Sequence, residues 1–268
     1  MVPRVLASLS PARRRLALAI AVLLVIAVAT ATGVALLRRD PAVRPVAQDR
    51  VGPVLLVPGY GGSTTSLEVL GDVLEAEGRD VRIVAASGSG TGDLREAASH
   101  LAEVVDATLA ETGAPSVDVV GYSAGGVVLR LYVADLGGGS TVRRAVTLSS
   151  PHHGTDLAAL ALALGTRTCP VACEQLDPDS DLLRRLNAGD ETPAGPEWVV
   201  LWTEDDGTVV PPESGDLEGA LGYAVQSVCS GLTVEHPDVP RTPAVIAMVE
   251  SALGTGEPVV PDASVCTG

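Results

Sequence analysis

The stretch "GYSAG" at 121–125 sets one serine between glycines, and Ser123 is the residue whose surroundings best fit a nucleophile. A serine hydroxyl attacks a carbonyl only when a base takes its proton and a third group orients that base. A GxSxG pattern serves this chemistry when an apolar strand precedes it and a helix follows, because the glycines let the backbone turn sharply and expose the hydroxyl. Here "SVDVV" leads in and "GGVVLRLYVADL" leads out. The start of a helix just behind the serine also offers free N–H groups and a positive dipole end to a developing oxyanion. Small residues at a strand-to-helix turn can equally serve close packing, so the pentapeptide needs partners elsewhere in the chain.

Those partners can be sought in order. "PGYGG" at 58–62 follows the first apolar strand, where an oxyanion loop belongs in this arrangement. The backbone N–H groups of Tyr60 and Ala124 are the candidate donors. There are four histidines, His100, His152, His153 and His236. An acid after a late strand, followed by the histidine, is the expected order. Asp206 lies at the carboxyl end of "EWVVLWTEDDG", and only His236 comes after it. Asp205 is the alternative acid. His100 falls on an amphipathic helical pattern and reads as a surface residue. His152 and His153, in "SPHHGT", precede the acid and either line the cleft or pack a loop.

Elements with the right rhythm surround these residues. Short apolar strands over 53–59, 80–86, 116–123, 142–151, 197–206 and 222–228 are predicted. Helical spacing covers 66–78, 91–113 (with Asp93 as its cap), 124–136 and 242–253. Alternating strands and helices imply an α/β fold, a doubly wound, mostly parallel sheet with helices on both faces. The region 155–195 breaks the rhythm and reads as a cap-like insertion near the carboxyl ends of the strands. "GSGTG" at 88–92 lacks the spacing of a phosphate loop and reads as a flexible turn.

Charge and apolarity divide the chain. All 18 basic residues are arginine and the formal net charge is −15, which excludes nucleic acid as a partner because phosphate neutralisation needs a basic surface. Seven arginines and one acid fall in residues 1–44, leaving 11 arginines against 32 acids in the remainder. Residues 1–15 form a basic, cytoplasmic N-terminus. Residues 16–37 are 22 uncharged residues, long enough to span a bilayer at about 1.5 Å per residue. They read either as a transmembrane signal anchor or as a cleaved signal peptide using 16–28 and the "ATA" at 29–31. Residues 38–50 read as a linker and 51–268 as the main domain, outside the cytoplasm in both cases.

Cys169, Cys173, Cys229 and Cys266 all lie in that exported part, where an even number suggests two disulfides. Spacing does not separate the three possible pairings. The preferred one joins Cys169 to Cys173 and Cys229 to Cys266, and a four-cysteine zinc site is the rival.

These residues resemble the α/β-hydrolase superfamily, and within it the small secreted bacterial triacylglycerol lipases and esterases, over about 51–253. "PGYGG", "GYSAGG", "SSPHHGT" and the "WTEDDGTVVP" turn at 202–211 carry the resemblance. Pro58-Gly59 stands where many relatives have His-Gly, and the surroundings of His236 match poorly. The resemblance implies carboxylic ester hydrolysis through an acyl-enzyme without a cofactor, and it supports Asp206 over Asp205. The apolar stretch 157–164 points to an acyl-lipid substrate. Two rival readings are an acyltransferase acting on an envelope lipid with the same three residues, and a non-catalytic binding module on the same fold.

Overall fold

The computed structural model describes residues 12, 15, 20–28, 30, 43–164 and 169–267. The chain divides into two compact units, Met1–Val43 and Arg44–Gly268. In the first, residues 20–28 are helical. Among the described residues no helix is long and apolar enough to cross a membrane. Much of the expected 16–37 span lies outside the described residues.

The second unit opens with β1 (Val54–Val57), whose four apolar residues are all buried, as a strand covered on both faces requires. Helix α1 (Thr65–Ala76) buries Leu67, Leu70 and Leu74, one stripe at helical spacing. Then come β2 (Val81–Ile83) and α2 (Leu94–Thr112). The Asp93 carboxylate caps α2 by accepting from the Arg95 N–H, and Gly113, in the left-handed region, ends it. Strand β3 (Val117–Tyr122), α3 (Ala124–Asp135) and β4 (Val142–Leu148) follow.

Three short helices, α4 (Asp156–Ala163), α5 (Val171–Gln175) and α6 (Asp181–Leu186), occupy the expected insertion. Strand β5 (Glu197–Trp202), β6 (Leu221–Ala224), α7 (Val225–Val228) and α8 (Pro243–Ala252) complete the unit. The sixth strand is shorter than its apolar pattern implied. Residues 225–228, read as strand, turn into α7, because Cys229 N–H closes a helical turn onto the Val225 carbonyl.

All five strand pairings are parallel, in the order β2-β1-β3-β4-β5-β6. Side chains alternate across the sheet into two cores. Leu55, Val119 and Val200 pack with α2 and α3, whereas Leu56, Val120 and Val199 pack with α1 and α8. The chain runs outward from β1 to β2 and then returns to place β3 on the other side of β1. That reversal leaves a crevice beyond the carboxyl ends of β1 and β3, where ligands bind in open α/β sheets.

Candidate active site

Ser123 sits between the last residue of β3 and the first of α3, with φ 53° and ψ −126°. A non-glycine residue held there costs on the order of 1–3 kcal/mol. The neighbouring glycines explain how the turn is so tight. A Cβ on Gly121 would lie 2.6 Å from the Gly126 Cα, and one on Gly125 would lie 2.4 Å from the Val57 carbonyl oxygen. The first turn of α3 therefore packs backbone to backbone on β1 and β3. The Ser123 N–H donates to the Leu148 carbonyl at 2.8 Å, tying the turn to the end of β4.

His236 and Asp206 meet this serine. His236 Nε2 is 3.0 Å from Ser123 Oγ, and His236 Nδ1 is 2.7 Å from Asp206 Oδ2. A carboxylate only accepts, so Nδ1–H donates to Asp206, and in the neutral imidazole Nε2 is then free to accept the serine proton. Asp206 Oδ1 accepts from the Thr208 and Val209 N–H groups, both at 2.8 Å. Ser123, Asp206 and His236 are all buried.

The loop after β1 lies against the serine. A Cβ on Gly59 would be 2.8 Å from Ser123 Cβ and 3.4 Å from its Oγ, so only glycine fits without displacement. Ala124 is the first residue of α3, and N–H groups of a first helical turn have no acceptor within the helix. The Tyr60 side chain is exposed. The second glycine-rich stretch supports this loop. Gly61 N–H donates to the Gly90 carbonyl at 2.9 Å, and a Cβ on Gly90 would come within 2.5 Å of the Gly62 nitrogen.

Several residues that sequence reasoning did not single out hold the histidine. Tyr122 donates its hydroxyl to the His236 carbonyl at 3.0 Å, and the two rings lie 5.2 Å apart. Burial, with the nearby Asp206 charge, pushes the Tyr122 hydroxyl well above its ordinary pKa, so it remains a donor. Thr203 donates to the Val234 carbonyl at 2.8 Å. Asp205 accepts from Val234 N–H at 3.0 Å and from Gln226 Nε2 at 2.9 Å. Asp205, the alternative acid, thus braces the loop that leads to His236 while Asp206 contacts the imidazole. The position of Tyr122 inside GxSxG was a signal for its role, but Gln226 and Thr203 carried none.

The other histidines are placed apart from this series. His152 is fully buried, with Nε2 3.0 Å from Thr147 Oγ1, and burial followed by the Arg130 charge holds its pKa well below the ordinary value. His153 Nε2 is 2.8 Å from Glu191 Oε1. His152 packs the join between β4 and the insertion, while His153 is exposed there. His100, on α2, is partly exposed and 3.8 Å from Glu103. Cys169 is joined to Cys173 and Cys229 to Cys266, and no described cysteine is free, which removes the four-cysteine zinc reading.

An open parallel sheet with a Ser–His–Asp hydrogen-bonded series at its topological switch point defines a class of protein. The sequence model of the alpha/beta hydrolase fold family matches residues 52–167. Among solved structures, Aspergillus fumigatus lipase B superposes with a TM-score of 0.70 at 21% identity, covering 86% of this chain and 60% of that one. Bacillus licheniformis lipase BlEst2 in its propeptide form gives a TM-score of 0.64 at 18% identity, over 84% of this chain and 53% of that one. Its mature form gives 0.61 at 18% identity, over 80% and 96%. The chain thus spans little more than half the length of the first two. The resemblance to the α/β-hydrolase superfamily holds: this chain has the alpha/beta hydrolase fold.

Proposed function

We propose that this protein is an exported serine ester hydrolase that cleaves carboxylic esters through an acyl-enzyme. The observation that carries this reading is the continuous series from Ser123 Oγ through His236 to Asp206, at 3.0 and 2.7 Å. Ser123 Oγ attacks the ester carbonyl carbon as its proton passes to His236 Nε2. The carbonyl oxygen becomes an oxyanion, held by the N–H groups of Ala124 and Tyr60. Asp206 keeps the imidazole in the receptive tautomer and stabilises the imidazolium. Collapse of the tetrahedral intermediate breaks the carbon–oxygen bond, and His236 returns the proton to the departing alcohol. Water then attacks the acyl-enzyme with His236 again as base, releasing the acid and restoring Ser123. Relatives of this fold that are called lipases support ester substrates, and two disulfides support a location outside the cytoplasm.

A fluorophosphonate probe tests the reading. One covalent adduct on Ser123 is expected, together with ester hydrolysis, both lost in Ser123→Ala while the variant keeps its thermal unfolding transition. No adduct on folded wild-type protein, or an adduct that survives Ser123→Ala, overturns it.

A further inference from the structure

A cavity of about 70 Å³ lies beneath the loop after β1, between α2 and α3. Gly59 and Ala124 are among the residues that line it, so it reaches the backbone next to the Ser123 turn. A Cβ on Gly59 would be 2.8 Å from Ser123 Cβ. Val57, Val84, Leu94 and Val128 line the interior, side chains that also belong to the core face packed against α2 and α3. Ala97 adds a small side chain from α2. Glu96 and His100 stand at the solvent side, so the apolar stretch is short and ends in polar groups.

Resting on the ester-hydrolase reading, we propose that this cavity receives the acyl part of the substrate, and that it selects esters of short carboxylic acids. Once the carbonyl carbon is bonded to Ser123 Oγ and its oxygen faces the Ala124 N–H, the acyl chain must leave along one of the remaining directions. The cavity offers an apolar channel adjoining that point. At about 70 Å³ the space is small. Drug-sized ligands take about 300–1,000 Å³, and a long fatty acyl chain belongs with those. Further methylenes would meet Glu96 and His100, and desolvating those groups opposes burial of the chain. The sequence expectation of an acyl-lipid substrate came from residues 157–164. There Leu157, Leu160 and Leu164 are exposed on α4 and the turn after it, and none of them lines this cavity.

The test is kcat/KM for p-nitrophenyl acetate, butyrate, hexanoate, laurate and palmitate, using the full chain and two variants. Wild type is expected to prefer butyrate or hexanoate over laurate by at least about 10-fold, the discrimination a few misfitting methylenes provide. Ala97→Leu narrows the channel while keeping a strong helix former. It is expected to lower kcat/KM for butyrate and hexanoate about 10-fold and to change acetate less than about twofold. Leu94→Ala, which widens the channel, is expected to move the optimum to a longer ester. A preference for laurate or palmitate, or equal losses across all esters in folded variants, overturns the cavity assignment. Fluorophosphonate labelling of Ser123 run alongside separates the two failures. Labelling with an unmoved chain-length profile ends the cavity assignment alone, whereas absence of both labelling and hydrolysis ends the hydrolase reading beneath it.

Discussion

Strand β3 carries a buried polar cluster at each end, and the two are built on opposite principles. Near its amino end Asp118 is fully buried and saturated. Arg143 donates to both its oxygens, at 2.8 and 2.7 Å, and Arg79 adds a third bond at 2.6 Å. The spare donors of Arg143 reach the carbonyls of Gln48, Leu253 and Gly254, so this cluster clamps the chain entering β1 to the end of α8. Just past the carboxyl end, Ser123 is held at an unfavourable backbone angle and its hydroxyl faces an imidazole. Charges bound by fixed partners on every side have no chemistry left to perform. A hydroxyl beside a base whose other nitrogen is engaged can lose its proton. One end of the strand holds its polar groups in fixed pairs, and the other keeps a hydroxyl beside a base that can take its proton.

Perturbing each cluster should therefore divide activity from stability. The largest expected effect is on activity. Asp206→Asn leaves the volume nearly unchanged but turns an NH2 donor toward Nδ1, where the carboxylate accepts from Nδ1–H, so the imidazole is held in the wrong tautomer, and hydrolysis should fall about 10⁴-fold with little change in unfolding midpoint. Equal activity in steady-state assays of the amide variant would remove Asp206 from its orienting role. At the opposite end, Asp118→Ala leaves Arg143 buried without its counter-charge and should destabilise the fold by about 3–5 kcal/mol, read from urea unfolding. Activity per folded molecule should persist there.

The third prediction concerns His152, which lies in the join with the insertion and is buried neutral. Its pKa in the folded state is below the 6.5 of the unfolded chain, so only the unfolded state gains a proton as pH falls below 6.5. Stability should be pH-independent in this respect above that value. Below it, stability should decline by at most about 1.4 kcal/mol per pH unit until the folded-state pKa is reached. Chemical unfolding of wild type and His152→Asn at several pH values checks this, and identical slopes for the two would refute it. The smallest effect should come from Tyr122→Phe. Losing the hydroxyl bonded to the His236 carbonyl should cost about 1 kcal/mol or less and lower kcat less than about 10-fold, while Ser123 still labels.

The two ends of β3 were not equally legible in the sequence. Ser123 was marked by its flanking glycines, and Asp206 and His236 by chain order and the turn "TEDDGTVVP". Those signals are local, since an elbow, an acid turn and a late histidine each announce themselves within a few residues. Asp118, Arg143 and Arg79 carry no local signal in the sequence. Their burial depends on pairing across three segments that sequence spacing does not relate. Gln226 and Thr203 were invisible for the same reason, and "GSGTG" read as a loose turn because its partner, "PGYGG", lies about one helix and one strand earlier.

The sequence by itself determined the alternation of elements, the sharp turn at Ser123 and the short set of residues able to complete it, because periodicity and glycine placement are properties of neighbouring residues. It also suggested two disulfides, whose pairing, Cys169 with Cys173 and Cys229 with Cys266, the structure supplied. The tertiary structure alone decided what Asp205 does, bracing Val234 and Gln226 while the preferred acid, Asp206, faces the imidazole. It also decided that His152 packs inside the fold and that His153, exposed, pairs with Glu191, neither joining Ser123. Only the folded sheet showed that a small apolar cavity adjoins the serine from the side of α2. Those outcomes depend on distances between segments far apart in the chain, which are set when the strands align and the helices close over them.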